Sequence, residues 1–136
     1  MKPSAILHVE DDEVDAISLQ RALHKLECEI PLFRAENGQQ ALDLITGTTS
    51  IFNPNAVQLP SPLLIFLDLN LPLMNGKDFI SNIAKLDLHI DYEIYILSTS
   101  KRCDDLKLEN EINVVGYILK EQQDQELRSL LRERCA

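Results

Sequence analysis

Leu63-Leu64-Ile65-Phe66-Leu67-Asp68-Leu69-Asn70-Leu71-Pro72 is the stretch that decides how this chain folds. Five consecutive apolar residues give way to a carboxylate, and prolines stand on either side. A short apolar run without alternation fits a strand buried on both faces of a parallel sheet. Asp68 then stands at the C-terminal end of that strand, where open α/β sheets place their ligands. An aspartate after a strand also serves as an ordinary turn or cap residue.

Three other runs bear on that choice. Residues 5–9 are apolar apart from His8 and lead into Glu10-Asp11-Asp12-Glu13. Acids at this point cap a following helix and favour the positive end of its dipole. Four carboxylates exceed what a cap requires, and their mutual repulsion is costly unless a cation collects them. Beside a third strand-end acid, hard oxygen ligands suit Mg²⁺. The run Ile94-Tyr95-Ile96-Leu97 ends in Ser98-Thr99-Ser100, and Val114-Val115-Gly116-Tyr117-Ile118-Leu119 ends in Lys120. Hydroxyls at a strand end make local turns, and a terminal lysine is common on surfaces. In chain order, however, the four runs end in acid, acid, hydroxyl and amine. Such a set supplies a metal cradle, a nucleophile, a hydrogen-bond donor and a counter-charge for phosphate.

The chain has 136 residues, enough for one domain with a proper core. Thirteen Lys and Arg against 22 Asp and Glu give a net charge of −9. Nucleic acid is therefore disfavoured as a partner, because counterion release needs clustered cations. No apolar stretch approaches the ~18 residues of a membrane helix, and the first strand begins too early for a signal peptide. Nothing after the last strand is long enough for a DNA-binding module. The expectation is one soluble, cytoplasmic domain over 1–136 with no output domain. Cys28, Cys103 and Cys135 lack C-x-x-C spacing and indicate neither a disulfide framework nor a zinc site. His8, inside the first strand, reads as a hydrogen-bonded core or rim histidine.

Strand and helix patterns alternate five times. Strands are expected at 5–9, 30–35, 63–67, 93–97 and 114–119. Helices are expected at 14–26, after Gly38 to Ile45, and at 77–86, 104–111 and 123–134. The first helix shows a stripe of Ala16, Leu19, Leu23 and Leu26. Five such units give an α/β fold, a doubly wound five-stranded parallel sheet with helices on both faces. Pro31 places strand two at an edge, which the flavodoxin-like order 2-1-3-4-5 satisfies. That order sets strands one and three side by side, so Glu10, Asp11 and Asp68 converge. The segment 46–62 is too long for a tight connection and is either functional or mobile.

These residues together resemble a receiver domain of the two-component response regulators, similar to the stand-alone chemotaxis regulator. Glu10 and Asp11 match the acidic pair after the first strand, Asp68 the phospho-acceptor and Ser98 the Ser/Thr position. Tyr117 matches the switch aromatic, and Lys120 the family's lysine. Three departures stand out. Glu121 replaces the usual proline after the lysine, Ser98 stands where threonine is commoner, and the 46–62 segment is long. That segment and the Ser98-Thr99-Ser100 triplet resemble the single-domain receivers that work with phytochrome-type sensor kinases.

The resemblance implies two-component signal transduction rather than a conventional enzyme. A phosphohistidine on a sensor histidine kinase or histidine phosphotransfer protein would pass its phosphoryl group to Asp68. Mg²⁺ would be held by Asp11, Asp68 and the backbone carbonyl of Asn70, with Glu10 acting through water. Lys120 would pair with Asp68 and then with a phosphoryl oxygen. Ser98 and Tyr117 would switch a surface that binds a downstream protein or a second copy, with no nucleic acid and no membrane involved.

Three other classes compete. A haloacid-dehalogenase-type phosphatase needs a second Asp two positions after its nucleophile, and here that position is Asn70. A flavodoxin-type FMN protein would set its phosphate against the 10–13 acids, which repel it. A scaffold with a decayed site would not keep the full set of acids, hydroxyl and lysine.

Overall fold

The computed structural model describes residues 2–49, 54, 58–69, 71, 74–86, 90–98 and 113–134. Its elements run β1 (Ala5–Val9), α1 (Glu13–Lys25), β2 (Leu32–Ala35), α2 (Gly38–Thr46) and β3 (Leu63–Asp68). They continue as α3 (Gly76–Lys85), β4 (Tyr92–Ser98), β5 (Val114–Leu119) and, after one 3₁₀ turn at Lys120–Gln122, α4 (Gln123–Arg134). The helix expected at 104–111 lies outside the described residues. The sheet is parallel throughout, in the order β2-β1-β3-β4-β5.

Side-chain alternation splits the core into two layers. On one face Ile6, Leu64, Phe66, Leu97 and Ile118 pack against Leu19 and Leu23 of α1 and Leu127 and Leu130 of α4. On the other, Leu7, Ile65, Leu67 and Ile96 pack against Ala41 and Ile45 of α2 and Phe79, Ile80 and Ile83 of α3. Residues 63–67 of β3 are all completely buried. Each such side chain contributes about 1.5–3 kcal/mol over exposure. A one-residue slip of β3 would exchange its two faces, so its register fixes where Asp68 emerges.

Helix starts are set by capping oxygens rather than by the apolar stripes. Asp12 Oδ1 accepts from the Val14 and Asp15 amides at 2.8 and 3.3 Å, starting α1 at Glu13. Asn37 and Asn75 cap α2 and α3 likewise, accepting from Gln40 and Asp78 at 2.8 Å. Gly38 is thus the first residue of α2 rather than its predecessor. Strand two is shorter than expected. Pro31 has no N–H, but its carbonyl accepts from Ile6 at 2.9 Å, and β2 begins at Leu32. The long segment before β3 is anchored near its end, where Leu59 is buried and its amide donates to the Leu44 carbonyl at 2.9 Å.

Candidate functional site

Strand alternation brings the acids together. Leu64 and Phe66 face the α1–α4 layer, so Asp68, two residues on, emerges on the same side. On β1 the register pairs His8 with Phe66, which sets Glu10 level with Asp68 beyond the last pair. Oxygens from Glu10, Asp11 and Asp68 lie within 4.8 Å of one another. Glu10 is 0% exposed and Asp68 9%, while Asp11 is open to solvent.

Lys120 enters from the start of the 3₁₀ turn. Its Nζ lies 2.7 Å from Asp15 Oδ2, 2.9 Å from Glu10 Oε1 and 3.5 Å from Asp68 Oδ2. Asp68 was the partner expected from sequence, and Asp15 and Glu10 prove to be closer. Burial pulls the lysine toward neutrality, but hydrogen bonds to Asp15 and Glu10 and the charge of Asp68 outweigh it and hold the ammonium more firmly than usual.

Arg34 on the edge strand steadies the loop below. Its Nε donates to the Glu10 carbonyl at 3.0 Å, and a terminal nitrogen donates to the Asp11 carbonyl at 3.2 Å. Sequence reading missed both Arg34 and Asp15. A lone cation in a short strand and an acid in a helix's first turn both look like solvated surface. Their partners lie 24 and 105 residues away along the chain.

Two buried groups report the electrostatics. His8 is held neutral, its pKa lowered to about 3 by burial and by the charges of Lys120 and Arg34 against the opposing pull of Asp68. Its Nε2, 3.8 Å from Glu10 Oε1, therefore forms no ion pair, and among the described residues it has no hydrogen-bond partner. The expectation of a hydrogen-bonded histidine does not hold at that atom. Glu10 is pushed up to about 8, by burial first and then by its contact with Asp68, while Lys120 opposes. Two carboxyl groups in contact can hydrogen-bond only by sharing a proton. Without one, Glu10 Oε2 is buried with no donor among the described residues.

An orphaned carboxylate oxygen beside two further carboxylates fits a divalent cation, which would replace the shared proton. The same group yields a prediction for the metal-free protein. Above pH 4.5 an unfolded Glu10 has released its proton, whereas the folded one keeps it until about pH 8. Buried His8 works the other way, since it is neutral when folded and takes up a proton below about pH 6.5 when unfolded, so the two contributions offset each other up to that pH. Stability should therefore fall between about pH 6.5 and 8, by up to about 1.4 kcal/mol per pH unit, and then level off. Urea midpoints measured in chelator check this, with Glu10→Gln expected to flatten the profile above pH 6.5. A wild-type midpoint that climbs between pH 6.5 and 8 would contradict the assignment.

Ser98 and Tyr117 lie on the other face. Ile96 pairs with Tyr117 and Ser98 with Leu119, and both Ile96 and Tyr117 pack in the α2–α3 layer. Alternation sets Ser98 on that side too, one residue beyond Leu97, which pairs with Asp68. The Tyr117 ring is half-buried and its hydroxyl oxygen is buried. Asn70, Thr99 and Ser100 lie outside the described residues. Glu121 takes part in the 3₁₀ turn that leads directly into α4.

A cluster of carboxylates faced by a lysine, at the carboxyl ends of a 2-1-3-4-5 sheet, is the arrangement of a receiver. The response regulator receiver domain model matches residues 6–132, and the chain belongs to that family. Among its relatives is response regulator Rcp1 of Synechocystis, 29% identical over 87% of this chain and 77% of Rcp1. The Mn²⁺-bound structure of Rcp1 superposes with a TM-score of 0.73 at 27% identity, covering 95% of this chain and 92% of Rcp1. A two-component response regulator of Legionella pneumophila gives a TM-score of 0.76 at 29% identity, covering 95% and 98%. The phosphorylated cyanobacterial phytochrome response regulator RcpA shares the fold, with a TM-score of 0.72 at 24% identity over 100% and 96%. No helix among the described residues is long and apolar enough to cross a membrane.

Proposed function

We propose that Asp68 accepts a phosphoryl group from a phosphohistidine of a sensor histidine kinase or histidine phosphotransfer protein, with Mg²⁺ as the working cofactor. One observation carries this reading. Asp68 stands at a strand end with two further carboxylates inside 4.8 Å and an ammonium 3.5 Å away. An Asp68 oxygen attacks phosphorus, the P–N bond breaks, and its electron pair leaves on the imidazole. Bound Mg²⁺ would neutralise the acid cluster and anchor the phosphoryl oxygens. Asp11 and Asp68 would hold it directly and Glu10 through water, with Asn70 offering its carbonyl. Lys120 and Ser98 then each take a phosphoryl oxygen. Asn70 in place of a second aspartate leaves no general acid for repeated turnover of phosphate esters, which disfavours a phosphatase.

Phosphorylation adds roughly −1.5 to −2 charges. Drawing Ser98 toward them would vacate space beside Tyr117 on the same face, and rotation of the ring would alter the surface near β5. That strand is a sheet edge and carries Val115, 45% exposed. The output of 1–136 as one receiver domain is then a contact with a downstream protein or a second copy. A cytoplasmic site of action accompanies such a donor, and the length of 46–62 supports a phytochrome-type kinase.

The test is intact mass after incubation with acetyl phosphate. The chain should gain one phosphoryl group with Mg²⁺ and none in chelator, and the adduct should be labile to hydroxylamine as an acyl phosphate is. Many turnovers per minute on para-nitrophenyl phosphate would favour the phosphatase instead. The acids also separate by role. Asp11→Ala should weaken Mg²⁺ binding at least about tenfold, in line with losing a charged ligand. Asp12→Ala should instead cost about 1 kcal/mol of stability by removing the α1 cap, with little change in affinity. Equal losses of affinity on titration would move the metal site by one residue.

A further inference from the structure

We propose that Asp15 is a positioning residue that draws Lys120 away from Asp68 and so keeps the acidic cluster open to its cation, an inference that rests on Mg²⁺ binding at that cluster. Asp15 makes the shortest of the ion pairs to Lys120, 2.7 Å against 2.9 Å for Glu10 and 3.5 Å for Asp68. Its place is fixed by the first turn of α1, where its amide bonds the Asp12 cap at 3.3 Å. It is not one of the three acids whose oxygens converge. Asp15 therefore remains an acceptor for the lysine when the others turn to a cation.

Lys120 and Mg²⁺ compete for the same oxygens. An ammonium is a mobile point charge on a flexible stem, and it settles wherever negative charge is left to it. With Asp15 present, the ammonium is divided between Asp15 and the Glu10–Asp68 pair, and of the three Asp68 lies farthest from it. With Asp15 neutral, Glu10 and Asp68 hold the ammonium between them, and the cation must displace it. The Asp15 side chain is 39% exposed, so solvent screens the pair. The effect on affinity should be that of a half-exposed ion pair, about three- to fivefold.

Asp15 also carries a negative charge that attracts a cation through space, and a double-mutant cycle separates the two effects. Mg²⁺ titrations by calorimetry would compare the wild type, Asp15→Asn, Lys120→Met and the double variant. Asp15→Asn should weaken binding about three- to fivefold when Lys120 is present and leave it unchanged when Lys120 is Met. Equal losses in both backgrounds would overturn the proposal. Should Lys120→Met not fold, a crystal structure of metal-free Asp15→Asn decides. Nζ closer to Asp68 Oδ2 than the present 3.5 Å supports the proposal, and an unmoved Nζ overturns it. A wild type that binds no Mg²⁺ would remove the metal site and this inference together. A wild type that binds it, with equal losses in the cycle, would remove the inference alone.

Discussion

Asp68→Asn should take up no phosphoryl group under conditions in which the wild type gains one. The neighbouring acids cannot stand in for it. Glu10 is fully buried and bonded to Lys120, which leaves it inaccessible to a phosphodonor. Asp12 is committed to the α1 cap, and Asp15 to the lysine. Asp11 is exposed but is needed for the cation. Asn keeps the shape of Asp and loses only its charge and nucleophilic oxygen, so the fold should survive. Removing one charge from a crowded cluster should leave the melting temperature unchanged or raise it. Glu10 supplies an internal control, because contact with Asp68 helps to raise its pKa. The fall in stability between pH 6.5 and 8 should be shallower in Asp68→Asn than in the wild type. Undiminished labelling of this variant would place the acceptor elsewhere.

How far the sequence led depended on whether the determinant was local. The five apolar residues before Asp68 and the edge-favouring Pro31 set the strand and its place in the sheet, and the described topology is the expected one. Asp12 as a cap was also legible, since capping acts over two or three residues. Boundaries moved where a short polar side chain outweighed the apolar stripe, as Asn37 and Asn75 do. What stayed hidden was long-range. Nothing near Asp15 announces that it will meet a lysine 105 positions later, and nothing near Arg34 announces the carbonyls it straps. His8 could be placed in a strand, but whether its nitrogens find partners is decided by packing from other elements. Gly76 was missed for a related reason, since a glycine after Asn75 reads as ordinary turn chemistry.

Gly76 should prove nearly as intolerant as Asp68. It is the first residue of α3, and its amide donates to the Leu69 carbonyl at 2.9 Å. A Cβ added there would lie 2.7 Å from both the Asp68 carbonyl oxygen and the Leu69 Cα. Those are backbone atoms, so no rotamer change can relieve the contact. On helix propensity alone alanine would gain about 1 kcal/mol over glycine. Overpacking against fixed backbone costs about 1–3 kcal/mol, so the net effect of Gly76→Ala should be destabilising. The buried core anchors β3 from below, so relief must come from moving α3 or the Asp68–Leu69 backbone. Moving the latter misdirects the nucleophile, and a displacement near 1 Å can slow a reaction about 100-fold. Gly116→Ala is the comparison. There the added atom would meet the Tyr95 ring, at 3.1 Å, rather than backbone, and a side chain can yield by a few tenths of an ångström. Thermal melts and acetyl phosphate labelling rates at saturating Mg²⁺ should show Gly76→Ala well below both the wild type and Gly116→Ala. Equal behaviour of the two variants would mean that the end of β3 is softer than its buried residues imply. The position of Asp68 would then depend on something other than the close packing of α3 against it.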